Sequence, residues 1–220
     1  MWFQDRSDAG QKLARALMAF KQSDPVVLAL PRGGLPVAAE VAVALGAPLD
    51  IFLVRKIGLP TQPELAMGAV ADGATPVVVH NEAVIASAGV SQDVFEQATR
   101  RELAEIARRR QRFLGDRPPA DLRGKTVILV DDGVATGATM MVAVEAVRRQ
   151  QPRQVVVAAP AMSPEAAGSL RRMADALVSL TTPGDFEAVG CHYRDFRQLD
   201  DADVVAILQR FRAVPSTATA

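Results

Sequence analysis

Asp131 and Asp132 close an uninterrupted apolar run, Val127-Ile128-Leu129-Val130, and are followed at once by Gly133-Val134-Ala135-Thr136-Gly137-Ala138-Thr139. A run of that kind fits a strand buried on both faces of a parallel sheet, so the two acids stand at its carboxyl end, where open sheets carry their ligand crevices. The loop after them supplies two glycines and two hydroxyls before a helix begins. A glycine-bearing loop there turns successive amides toward a phosphate at the helix N-terminus, and Thr136 and Thr139 add hydroxyl donors. The carboxylates would repel that phosphate. Their partners are therefore sugar hydroxyls, which donate to them, or a divalent cation. Phosphate and diol together describe a ribose 5-phosphate. A Walker A loop is excluded because no Gly-Lys pair is present, and a dinucleotide fingerprint because Gly133 and Gly137 have the wrong spacing.

The elements that must position this segment alternate strand and helix. Leu13, Leu17 and Phe20 follow Asp8 at helical spacing, which predicts an opening helix over 8–20 with Asp8 as its cap. Val26 to Leu30 reads as a strand, Pro31-Arg32-Gly33-Gly34 as a turn, and Val37 to Leu45 as a helix stopped by Gly46. Ile51 to Val54 reads as a second strand with Arg55-Lys56 at its end, and a loop with Gly58, Pro60 and Pro63 precedes strands at 67–71 and 77–79. Ser91 caps a helix through about Phe113 whose arginines, interleaved with Glu96, Glu102 and Glu105, read as a solvated face. Beyond the acid-pair strand come a helix at 139–149, a strand at 155–159, a helix at 163–173, a strand at 176–180 and a last helix at 201–211. Residues 182–198 are irregular. The expected organisation is one domain over 1–213, with a hood at about 182–198 and a flexible tail at 214–220.

With 25 basic and 25 acidic residues among 220, the chain offers no electrostatic reason to seek nucleic acid or an anionic membrane. Cys191 is the only cysteine, so neither an internal disulfide nor a cysteine-rich zinc site is available. The absence of a leader pattern and of a long apolar span leads us to expect a cytoplasmic protein.

Four apolar residues, two acids and a Thr-Gly-x-Thr ending resemble the 5-phosphoribosyl 1-diphosphate (PRPP) signature of type I phosphoribosyltransferases, and the resemblance runs from about Asp5 to Leu208. It implies an α/β fold with a central, mainly parallel sheet, helices on both faces and a small C-terminal hood. It implies PRPP binding by Asp131, Asp132, Gly133, Val134, Ala135, Thr136, Gly137, Ala138 and Thr139. In the family the turn after the first core strand binds diphosphate, which brings in Arg32, Gly33 and Gly34. Arg55 and Lys56 resemble a basic pair used on the same group, and with Arg32 they are the candidate catalytic residues. Mg²⁺ is implied as cofactor, held by Asp131 and Asp132 directly or through ribose hydroxyls and water.

The implied partners are PRPP and a small acceptor of the nucleobase type, and homodimers are common among relatives. Ala135 departs from the hypoxanthine-guanine enzymes, which carry a carboxylate there. The acceptor and the general acid/base stay unassigned. The 58–64 loop is as compatible with a lid as with a plain connection. Phe186, Tyr193 and Phe196 read as minor-core residues rather than an acceptor stack, and His80 and His192 as structural. Two other readings stand beside the transferase: a non-catalytic PRPP or nucleotide sensor, and a hydrolase of a phosphorylated sugar.

Overall fold

The computed structural model describes residues 2–73 and 76–211; the tail expected at 214–220 lies outside them. Helix α1 (Arg6–Ala16) leads to strand β1 (Pro25–Ala29), helix α2 (Gly34–Leu45) and strand β2 (Leu49–Ile51). Strands β3 (Val54–Gly58), β4 (Ala66–Ala71) and β5 (Val77–His80) follow, then helices α3 (Glu82–Ser87) and α4 (Gln92–Leu114). The chain continues through β6 (Thr126–Val130), α5 (Ala138–Arg148), β7 (Gln154–Ala161), α6 (Pro164–Met173), β8 (Ala176–Thr181) and α7 (Asp201–Gln209). Strands order β2-β1-β6-β7-β8 in one wholly parallel sheet, and β3-β4-β5 form a separate antiparallel ribbon.

Period-two alternation divides the main sheet between two cores. Val27, Ala29, Ile128, Val130, Val156 and Ala158 face α1 and α2, whereas Val26, Leu28, Val127, Leu129, Val155 and Val157 face α5 and α6. All five residues of β6 are buried. The strand that ends in the acid pair is thus central, as its unbroken apolar composition predicts.

Three local expectations are corrected. Asp5, not Asp8, caps α1: its carboxylate accepts from the Asp8 amide at 2.8 Å, while Asp8 lies in the first turn. The apolar run 51–54 is not one strand, because the chain leaves the parallel sheet after Ile51 and enters the ribbon at Val54. Arg55 and Lys56 therefore lie within β3 rather than beyond a core strand. Helix α4 is not a purely solvated face, since Arg110 reaches inward to bond Asp72 at 2.7 Å and Asp50 at 3.1 Å. Both acids are buried, so this cluster ties β2, the end of β4 and α4 together.

Candidate PRPP site

Parallel pairing brings the carboxyl ends of β1 and β6 side by side, with Ala29 opposite Val130. The 31–34 turn and the 131–139 loop leave from these adjacent ends and pack on one another. A Cβ on Gly33 would sit 2.6 Å from Asp132 Cγ, and one on Gly34 would sit 2.6 Å from the Val130 carbonyl oxygen and 2.8 Å from Asp131 Cα. Glycine at 33 and 34 is what permits this contact. The peptide joining Pro31 to Arg32 is cis.

The acid-pair loop is fixed at its start and open at its end. The Val134 amide donates to the Ala161 carbonyl at 2.9 Å, the Ser163 amide to the Val134 carbonyl at 2.9 Å, and Ser163 Oγ to the Ala135 carbonyl at 2.6 Å. Ala135, Thr136, Ala138 and Thr139 are exposed. Gly137 adopts φ +77°, a left-handed conformation favouring glycine, and caps α5 without a side-chain hydrogen bond. The Thr139 and Met140 amides have no acceptor among the described residues. Open first-turn amides at the positive end of a helix form a site for an anion.

Asp132 is buried, and its Oδ2 accepts from Arg6 Nε at 2.8 Å. The Tyr193 hydroxyl donates to the Asp132 carbonyl at 2.5 Å; burial, aided by Asp132, pushes Tyr193 above the ordinary phenol range, so it stays a donor. Asp131 Oδ1 accepts from the Asp132 amide at 2.9 Å. Burial, and secondarily the adjacent Asp132 carboxylate, push Asp131 well above the usual carboxylate range. A diol or a cation at this corner would relieve that repulsion. The donor set fits a hard cation that takes the rest of its shell from ligand oxygens and water, because Asp131 and Asp132 offer carboxylate oxygens and no cluster of three or more potential ligands occurs among the described residues.

Pleating separates the basic pair. Lys56 lies opposite Ala69, which lies opposite Val79, and this face of the ribbon looks toward α5. Arg55 faces the other way, its Nε bonded to buried Glu102 of α4 at 2.6 Å. A cavity of about 440 Å³ between ribbon and helix is lined by both residues together with Ala138, Thr139, Val142 and His80. Lys56 makes no ion pair among the described residues. Arg32 is exposed, and its fork lies on the Leu199 carbonyl at 2.8 Å and on Asp201 at 3.2 Å, away from the loop.

The irregular segment 182–198 packs on the loop through Val189, which sits where a Cβ on Gly133 would fall. Tyr193 is core, stacked with Phe3 and Phe196 at 5.4 and 5.0 Å. Phe196 is partly exposed and covers the Arg6 guanidinium, whose Cζ is 3.9 Å from the ring centre. Phe186 packs on His192 at 5.0 Å. Arg6 and Tyr193 were not among the expected site residues. Arg6 did carry one signal: a cation in a helix's first turn is opposed by the macrodipole, and such a placement needs a reason.

An open parallel sheet whose two adjacent central strands end in a glycine turn and an acid-pair loop has the architecture of type I phosphoribosyltransferases. The phosphoribosyl transferase domain model matches residues 6–194, and the chain belongs to that family. It is 43% identical over 208 residues to two Mycobacterium tuberculosis proteins, from strains CDC 1551 and H37Rv, provisionally named phosphoribosyl transferases. The match covers 94% of this chain and 46% of theirs, so the chain spans about half the length of those relatives. The crystal structure of TT1426 from Thermus thermophilus is similar at 45% identity with a TM-score of 0.84, covering 96% of this chain and 99% of that one. No helix among the described residues is long and apolar enough to cross a membrane.

Proposed function

We propose that the chain transfers the phosphoribosyl group of PRPP to a small nitrogenous acceptor, releasing diphosphate. The seating of Gly33 and Gly34 against Asp132 and Asp131 carries the reading, because it unites a diphosphate turn and a ribose loop in one crevice. The open amides of Thr139 and Met140, with the hydroxyls of Thr136 and Thr139, receive the 5-phosphate. Asp131 and Asp132 accept from the ribose hydroxyls and keep the sugar fixed while its anomeric carbon develops positive charge.

The diphosphate lies along the turn at the Gly33 amide, which has no acceptor among the described residues, while the Gly34 amide is held by the Leu30 carbonyl at 3.0 Å. Arg32 meets it after exchanging the Leu199 carbonyl and Asp201 for phosphate oxygens, an exchange open to an exposed side chain. Lys56 meets the anionic ligand from the ribbon, and Arg55, anchored on Glu102, backs the same cavity wall. Asp131 and Asp132 would be the protein-side contacts of a Mg²⁺ ion, which would supply neutralisation of charge on the leaving diphosphate. Asp72 and Asp50 do not take part; they hold the ribbon through Arg110.

The test is diphosphate release from PRPP and Mg²⁺ across a panel of purine, pyrimidine and non-aromatic nitrogen acceptors. Release that requires one acceptor establishes transfer, and release without any acceptor identifies a hydrolase. Tight PRPP binding without release under all conditions identifies a sensor.

A further inference from the structure

Arg6 has no evident reason to stand where it does if it serves only the fold. It occupies the first turn of α1, where the positive end of the helix opposes a cation, and its side chain is only 10% exposed. Its polar contacts among the described residues lead to the site or the hood: Nε to Asp132 Oδ2 at 2.8 Å and Nη1 to the Arg197 carbonyl at 2.9 Å. The Phe196 ring lies over the guanidinium plane and fixes its tilt. Two strand-like exchanges join the segments that carry these groups. The Phe3 amide donates to the His192 carbonyl at 2.8 Å, and the Arg194 amide donates to the Phe3 carbonyl at 2.9 Å. The N-terminal segment and the hood therefore clamp the second acid of the loop as one unit.

The clamp leaves the two oxygens of Asp132 unequal. Oδ2 is taken by Arg6, whereas no backbone amide or basic side chain among the described residues donates to Oδ1, and the other neighbour of the carboxyl group is the Asp131 carboxyl. A carboxylate pinned by one oxygen, with its carbonyl also held by Tyr193, has its other oxygen set in direction. We propose that Arg6 is a positioning residue, acting through Asp132, that orients the other Asp132 oxygen toward a ribose hydroxyl and so makes the site selective for a sugar that keeps its diol. The inference rests on the PRPP reading and names a determinant of sugar selectivity within that site.

Ribose 5-phosphate and 2,3-dideoxyribose 5-phosphate, titrated by calorimetry into wild type, Arg6→Gln and Arg6→Lys, test the assignment. Both ligands keep the phosphate, so the ratio of their affinities isolates the diol contact. In wild type the ratio favours ribose strongly. Arg6→Gln reduces that ratio roughly tenfold, the size of one hydrogen bond to a charged group, by weakening ribose 5-phosphate while the dideoxy ligand changes little. Arg6→Lys keeps the charge but not the fork or the stacking, and recovers part of the ratio. Equal weakening of both ligands in Arg6→Gln would mean a structural role only and would overturn the inference, as would an unchanged ratio in both variants. If Arg6→Gln does not fold, the Arg6→Lys ratio decides alone, and a wild-type value there refutes it. Wild type that binds PRPP without discriminating the two sugars sinks the inference and leaves the proposed function standing. Folded wild type that binds no PRPP removes both.

Discussion

Replacing Gly33 by alanine probes the contact between the two ligand loops. The residue's own backbone is ordinary right-handed helical, φ −59° and ψ −41°, so an alanine is not strained by its dihedrals. The nearest conflict is with Asp132, whose Cγ would lie 2.6 Å from the new methyl, with Oδ2 closer still. Asp132 cannot yield cheaply, because Oδ2 is bound by Arg6 and its carbonyl by Tyr193. The methyl must therefore displace the turn or break the ion pair. Overpacking of this kind costs about 1–3 kcal/mol, and the entropic gain of alanine over glycine returns about 0.5–1 kcal/mol at most.

A net loss near 1–2 kcal/mol lowers the melting temperature of a chain this size by roughly 2–8 °C. Gly168→Ala is the matched control. That glycine lies within α6, and a Cβ there meets nothing within 4 Å among the described residues. It should stabilise the protein by about 0.5–1 kcal/mol. Thermal melts of both variants, with and without PRPP, give the comparison. Gly33→Ala is expected to melt lower and to lose most of the stabilisation PRPP confers. A Gly33→Ala protein with wild-type melting temperature and an undiminished PRPP shift would refute the packing argument.

Other consequences follow from contacts elsewhere. Tyr193→Phe leaves the Asp132 carbonyl without its buried donor and should cost about 1–3 kcal/mol in chemical denaturation. Arg110→Met strands buried Asp50 and Asp72 and should cost about 3–5 kcal/mol, read in the same way. Lys56→Ala should weaken PRPP binding roughly tenfold in calorimetry with little change in melting temperature, since Lys56 is exposed and pairs with no acid among the described residues. His192 is depressed below its ordinary value of 6.5 mainly by burial, and its Nε2 has no partner among the described residues. The unfolded chain therefore takes up the proton first, so stability falls as pH drops through that value. His192→Gln should flatten the dependence of melting temperature on pH between about 7.5 and 5.

The acid-pair segment was legible in the sequence because each level pointed the same way. An apolar run named a central strand, the acids marked its end, and Gly137 with the threonines marked a helix start able to face an anion. The 31–34 turn was legible for the same reason, with Gly46 stopping α2 as expected. The split of 51–54 was not, because Ile51-Phe52-Leu53-Val54 contains no breaker. The chain changes sheets there for tertiary reasons, since Phe52 and Leu53 are buried on opposite sides of the crossing. That change set Arg55 and Lys56 on alternate faces of the ribbon, which their placement at the end of a core strand could not show.

Arg110 could have been separated from its neighbours in α4. It stands four residues after Ile106 and three before Phe113, on the buried stripe of the helix, and Asp50 and Asp72 each interrupt apolar stretches that call for a cation. The Arg6 contact crosses 126 positions of sequence, and no local pattern connects its ends.

Calorimetric titration of PRPP with Mg²⁺ into wild type and into the Asp131→Asn, Asp132→Asn double variant tests the central claim most directly. One site per chain is expected in wild type, with affinity reduced at least about a hundredfold in a variant that remains folded, the loss of two charged acceptors. Well-folded wild type that binds no PRPP, or a double variant that binds it as well as wild type, would contradict the account.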